Sequence, residues 1–243
     1  MPNSFASTTF PSTDPFGWMN LPAFGRQQFG LEEHFVITAT SNYNSDSGTN
    51  AGTIAQANAS QCRTGAFIAT TAAVSAFDYM QVYRAVSAIC PVPGKKFAWE
   101  ARLQVGRGAG AAGVETWFAG VTSAQTDAAF FSDLTTRAFD NGIGIGHISA
   151  AGQQRLSIFQ GNADTFTQTL TDATYAYDQW MTVTIQYTGT HTYFYANGRM
   201  IGSVLNGANL PSSNMAAYCF WIANGETAAK TIMVDCVRLA MEL

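Results

Sequence analysis

The chain has 243 residues and a mass of 26.0 kDa, enough to bury a full hydrophobic core in one domain with an appendage. Only 12% of its residues are charged, the net charge is −4 and the pI is about 5.2, so it offers no basic footprint for nucleic acid. No stretch approaches the roughly 18 consecutive apolar residues of a membrane helix, and the opening MPNSFASTTF has neither the basic nor the apolar region of a secretory signal. The expectation is a soluble protein made in a cytoplasm, with no membrane partner.

Residues 1–31 read as an extended N-terminal arm. Phe5, Phe10, Phe16, Trp18, Phe24 and Phe29 are strewn among Ser, Thr, Gly and Pro with no periodicity. Aromatic side chains each bury on the order of 150–250 Å², so the arm is expected to lie on something. That is either its own domain or a neighbouring subunit, where an extended segment gains area without a core of its own.

Residues 32–243 read as one domain of short strands. Glu33 to Thr40 is a plausible first strand, and Ser41 to Gln61 a long polar loop. Gly65 to Thr71 and Phe77 to Val86 are strand-like, and a turn follows at Pro91 to Gly94. In FAWEARLQV, Phe97, Trp99, Ala101, Leu103 and Val105 share one face and Glu100, Arg102 and Gln104 the other. A glycine-rich loop then leads to a strand at Val114 to Thr122. Ser123 to Phe139 alone has helical character; short strands resume at Gly142 to Ile148, Gln154 to Phe159 and Phe166 to Leu170.

The strongest pattern is WMTVTIQYTGTHTYFYANGRMIGSVL. It predicts strands over Trp180 to Tyr187, Thr190 to Ala196 and Arg199 to Leu205, with Asn197 and Gly198 forming a two-residue type I′ turn. Met215 to Ala223 and Lys230 to Leu243 supply two last strands around Asn224 and Gly225. Strands at 8–12-residue spacing with Gly, Asn and Asp turns describe an all-β sandwich or barrel.

The order FAWEARLQV, VETWFAGVT, GIGIGHI, the strand triplet after Trp180, and KTIMVDCVRLAMEL resembles the concanavalin-A-like lectin/glucanase jelly roll, including laminin-G-like domains. Tyr195 to Gly198 matches the family's Y-x-N-G turn, and Trp180 its opening position. The resemblance covers about residues 95–243 and implies a jelly-roll β-sandwich. With an N-terminal arm and no export signal, the chain further resembles virion proteins of tailed bacteriophages. That implies a place in the virion, a homo-oligomer (a trimer), and the major capsid protein or other virion proteins as partners.

Hydrolases of this superfamily place carboxylates on one strand face as E-x-D-x-x-E, with nucleophile and acid about 5–5.5 Å apart. This chain lacks the motif: Glu100 is followed on its own face by Arg102, which reads as a surface ion pair, and Glu115 has no acidic neighbour two residues away. No catalytic residue is expected. Gly108, Gly110 and Gly113 satisfy G-x-G-x-x-G, but a strand follows where a dinucleotide site needs a helix, so a hairpin loop is expected. Calcium, which lectins of this fold often hold, has Asp46, Asp127, Asp133, Asp140 and Asn141 available without D-x-D-x-D-G spacing, and no cofactor is expected. His34, His147 and His191 have no partner at metal-ligand or catalytic spacing and read as structural. Cys62, Cys90, Cys219 and Cys236 lack zinc spacing; the reading is buried reduced thiols, with a disulfide as the alternative.

A sugar platform needs exposed aromatics beside hydrogen-bonding groups, and Tyr175, Tyr177, Tyr193 and Tyr195 are the candidates for one. The expected function is structural: a virion protein of a bacteriophage that decorates or stabilises the capsid through subunit contacts. The alternative is a lectin-like module that recognises a cell-surface glycan.

Overall fold

The computed structural model describes residues 28–34, 44–48, 50–57, 65–84, 87–89, 91, 93, 95–123, 141–149, 153–162, 166–211 and 214–242. Among these, regular structure is all strand: β1 Gln28–His34, β2 Asn44–Ser47, β3 Thr53–Gln56, β4 Phe67–Thr70, β5 Tyr79–Tyr83, β6 Ser87–Ile89, β7 Phe97–Gly106 and β8 Thr116–Thr122. The second half adds β9 Gly142–His147, β10 Arg155–Gly161, β11 Phe166–Thr174, β12 Met181–Tyr187, β13 His191–Ala196, β14 Arg199–Leu205, β15 Met215–Ala223 and β16 Thr231–Glu242. They form two antiparallel sheets of eight strands, the jelly-roll sandwich anticipated from the alternation. Sheet A runs β14-β13-β12-β7-β16-β4-β3 with β1 also on β16; sheet B runs β11-β10-β9-β8-β15-β5-β2 with β6 also on β15.

Period-two alternation sends Trp99, Leu103, Val183, Ile185, Phe194 and Val234 of sheet A against Trp117, Ile143, Ile145, Ile158, Phe220 and Ile222 of sheet B. The two sheets are also tied by Trp99, whose indole Nε1 donates to the Ala217 carbonyl at 3.0 Å. The Asn197 and Gly198 turn has φ of +49° and +76°, both in the left-handed region that a type I′ hairpin requires.

The middle of sheet B is buried on both faces. Every residue of β8, β9 and β15 is buried, and a second cluster of Tyr79, Tyr83, Phe118, Phe159, Cys219, Trp221 and Ala223 alternates along the same strands with the residues facing sheet A. The sequence GIGIG explains how large rings fit there. Ile143 and Ile145 face the core, while Gly144 leaves room on the outer face for the Phe118 ring: a Cβ at Gly144 would sit 2.2 Å from Phe118 Cε2. Phe118 and Phe159 meet edge to face at 5.8 Å.

Several expected boundaries are corrected. The first strand is Gln28–His34 rather than Glu33 to Thr40; it pairs with β16, Phe29 opposite Met241, so the arm enters the sheet before residue 31. The polar stretch Ser41 to Gln61 is not wholly loop, because β2 pairs with β5 and β3 with β4. Edge pairing there overrides a composition poor in large apolar residues. The strand expected over Phe77 to Val86 is β5, Tyr79–Tyr83, with a separate short β6 beyond it, and β11 extends to Thr174. Apart from Ser123, the stretch to Phe139 expected to have helical character lies outside the described residues, as do Phe5, Phe10, Phe16, Trp18 and Phe24.

Candidate functional site

A buried carboxylate gathers two phenols and an ammonium around it. Glu115 immediately precedes β8 and is fully buried. Its Oε1 accepts hydrogen bonds from the Tyr175 hydroxyl and from the Tyr177 hydroxyl, the latter at 2.5 Å. The two tyrosines follow β11 at i, i+2 spacing, which puts both phenols on the side of Glu115. Burial, then the negative charge of Glu115, pushes the Tyr175 phenol far above its ordinary range; burial and the hydrogen bond to Glu115 push Tyr177 up to about 12.

The countercharge is Lys230, also fully buried, at the start of β16. Its Nζ lies 3.9 Å from Glu115 Oε2 and 3.1 Å from Glu226 Oε1, and donates to the Ala111 carbonyl at 2.7 Å. Glu226 Oε1 has no hydrogen-bond partner despite that separation, so the contact is an ion pair off the hydrogen-bonding direction.

The glycine-rich loop is built around this cluster. Gly108 and Gly113 have φ of +62° and +73°, and a Cβ at Gly110 would sit 1.7 Å from Glu226 Oε1. Arg107 Nε donates to the Gly110 carbonyl at 2.8 Å, and the Gly113 amide donates to Tyr177 Oη at 2.6 Å. The loop is therefore a turn between β7 and β8 clamped over an ammonium. Chemically the cluster fixes three loops to one another, and its two central charges do not face solvent.

The face where a hydrolase of this shape would carry its acids is different here. The middle of the outer face of sheet B presents Tyr79, Gln81, Tyr83, Phe118, Ser157, Phe159, Cys219 and Trp221, and its carboxylates stand on the edge strands, Asp46 of β2 opposite Gln81 and Asp172 of β11 paired with Arg155 at 2.8 Å. Tyr79 stacks on Trp221 at 5.9 Å, and Phe77 leans on both.

The remaining candidates fall apart spatially. Tyr175 and Tyr195 are buried, with 5% and 8% exposure, so neither offers an open ring to a sugar; Tyr177 and Tyr193 are half-buried and lie on different parts of the molecule. Tyr193 stacks on His191. Glu100 and Arg102 each take a cross-strand partner instead of reading as one pair: Arg238 lies 3.5 Å from Glu100, and Asp235 2.5 Å from Arg102. Arg102 also covers the Trp180 ring at 4.5 Å. His147 is buried, with Nδ1 at 2.9 Å from the Arg155 carbonyl. Cys219 and Cys236 are free and buried; Cys62 and Cys90 lie outside the described residues, as do Asp127, Asp133 and Asp140. Among the described residues no group of three His, Cys, Asp or Glu side chains is assembled for a metal.

The Glu115 and Lys230 pair escapes sequence reasoning because its partners are 115 positions apart and neither sits in a motif. The one available signal is a charged residue embedded in apolar strand sequence, as in VETWF and AAKTIMV.

The model of the family described as the concanavalin A-like lectin/glucanases superfamily matches residues 101–239. Among solved structures, the chain is similar to a protein of unknown function from Shewanella oneidensis MR-1, with 13% identity, 97% of each chain covered and a TM-score of 0.57. It is similar to an endo-1,3-beta-glucanase from Streptomyces sioyaensis, with 13% identity, 91% of this chain and 99% of that one covered and a TM-score of 0.56. A carbohydrate esterase from the Shiga toxin-encoding bacteriophage phi24B aligns at 13% identity over 88% of this chain and 98% of that one, with a TM-score of 0.50. These likenesses establish a shared fold. No curated protein matches the chain.

Proposed function

Because the chain belongs to the concanavalin A-like lectin/glucanases superfamily, whose fold alone does not choose between catalysis, binding and assembly, we propose that it is a non-catalytic structural protein of a bacteriophage virion. In this reading it decorates or stabilises the capsid through contacts between subunits. The observation that supports the non-catalytic part is the middle of the outer face of sheet B, where β5, β8, β10 and β15 present buried aromatic rings rather than acids. Glu115, the best-buried acid among the described residues, is occupied by two phenols and an ammonium and so is not free to act as one of the paired carboxylates of glycoside hydrolysis.

The assembly part rests on composition. A chain with only 12% charged residues has a surface that tolerates protein contact, and six aromatics before or at the start of β1 offer area to bury in it. Replacing Phe16 and Trp18 with Ser tests this reading. The double variant should lose mass in solution or thermal midpoint, and a variant with both unchanged contradicts it. Incubation with β-glucans should release no reducing ends.

A further inference from the structure

The two sheets end together along one side of the sandwich. β14 closes sheet A there and β11 closes sheet B, and the two strands lie against each other. Gly202 lets β14 approach closely, since a Cβ there would sit 2.8 Å from Ile158 Cδ1. Amide side chains fasten one end: Gln160 Nε2 donates to Asn206 Oδ1 at 2.8 Å, and Asn209 Nδ2 to Thr167 Oγ1 at 3.1 Å. Apolar surface reaches solvent on this side. Among the described residues four large apolar side chains are exposed, and three of them, Leu170, Met200 and Leu205, stand on these two strands.

The ladder assigns the free backbone groups of β14. The Asn206 amide donates to the Thr190 carbonyl at 2.8 Å, and the same register pairs Thr192 with Val204 and Phe194 with Gly202. Antiparallel alternation therefore turns the N–H and C=O of Ser203 and Leu205 away from β13, to the open side. Sheet edges are ordinarily blunted by shortness, charge, proline or a bulge. On the opposite side of the sandwich β2 and β3 are four residues each, and β11 carries Asp172 and borders a register shift. β14 is seven residues long; its one charge, Arg199, stands at the hairpin tip, and its register shift falls between Met200 and Gly202. Gly202 to Leu205 remain regular and uncharged.

We propose that this edge is a twofold interface with a second copy of the chain, β14 pairing antiparallel with β14 so that two A sheets become one. A twofold axis sets each residue near its own copy, so a charged edge would repel itself whereas an uncharged one is self-complementary. Strand addition satisfies the outward backbone groups of Ser203 and Leu205 in both copies and takes the Leu205 side chain, 67% exposed, out of water. The inference uses no arm residue and goes beyond the assembly reading: it stands whether or not the arm also joins subunits.

The test is the absolute mass of the full chain by light scattering over a wide range of concentration, with hydrogen exchange of the β14 peptide read by mass spectrometry. Leu205→Lys brings like charges together across the axis, and Ser203→Pro removes an outward N–H while sparing the bonds to β13. Each should halve the mass, whatever the arm builds, with the far-ultraviolet circular dichroism unchanged. The β14 amides should be protected in the wild type and exchange faster in both variants. Val74→Lys, at the exposed apolar residue away from this side, should leave the mass as it is. A mass unchanged in both edge variants overturns the proposal, as does an equal loss in Val74→Lys. A full chain that is monomeric throughout overturns it too, by leaving the edge to solvent or to a different partner. A halved mass in the edge variants beside an unchanged mass in the Phe16 and Trp18 double variant upholds it while contradicting assembly through the arm.

Discussion

Lys230→Met should be among the most destabilising single substitutions in this protein. The side chain keeps its length and loses only its charge and donors. At an effective dielectric near 20, an ammonium 3.1 Å from one carboxylate and 3.9 Å from another gains about 5 and about 4 kcal/mol of Coulomb energy. Mutual repulsion of Glu115 and Glu226 and the desolvation of all three groups offset much of this, which leaves a net cost of about 3–5 kcal/mol for stranding Glu115 in a fully buried position. For a domain of this size that corresponds to a fall in Tm of about 6–20 °C. Urea unfolding followed by tryptophan fluorescence reads the loss. Glu115→Gln in the same chain should recover part of it, because the amide needs no countercharge, so the double-mutant cycle should show strong coupling. A cost below about 1 kcal/mol for Lys230→Met, or additive costs in the double variant, would refute the view of this cluster as a coupled ionic tie.

Three further outcomes follow from the same geometry. Gly144→Ala should cost about 1–3 kcal/mol through overpacking, since its Cβ would sit 2.2 Å from the Phe118 ring, and near-ultraviolet circular dichroism should report the displaced rings. The Tyr177 phenol is raised from 10.0 to about 12, so its contribution is complete below pH 10 and is lost as pH rises toward 12, where the unfolded chain has already released its proton. Alkaline denaturation of Tyr177→Phe should therefore fall less steeply in that window than wild type. Burial pushes the Cys219 thiol up strongly and the Cys236 thiol up to about 11. Both should resist alkylation at pH 8 in the folded protein and react on unfolding, as read by peptide mass mapping.

What the sequence made legible is the part governed by local rules. The strands of the β12 to β14 meander and β15 lie within one residue of where alternation and the Asn197 and Gly198 pair place them, because period two and turn chemistry are local properties. β2 and β3 were illegible because they are short edge strands whose partners, β5 and β4, supply the pattern they lack. The G-x-G-x-x-G run reads correctly as a loop, yet its reason is tertiary: Gly110 must clear Glu226, more than a hundred residues away. The second aromatic layer was hidden for the opposite reason. Continuous apolar runs such as MAAYCFWIA show burial without saying that two separate faces are buried. The four tyrosines looked equivalent in sequence, and only the fold separates Tyr175 and Tyr177, committed to Glu115, from Tyr193 on an open face.

The claim that this chain is an assembly protein is tested most directly by its absolute mass in solution. Light scattering after size exclusion should be run on the full chain and on a form beginning at Gln28, which removes the arm while keeping β1 paired to β16. The account predicts an oligomer for the full chain and a smaller species for the shortened one. Monomers for both would contradict self-assembly through the arm.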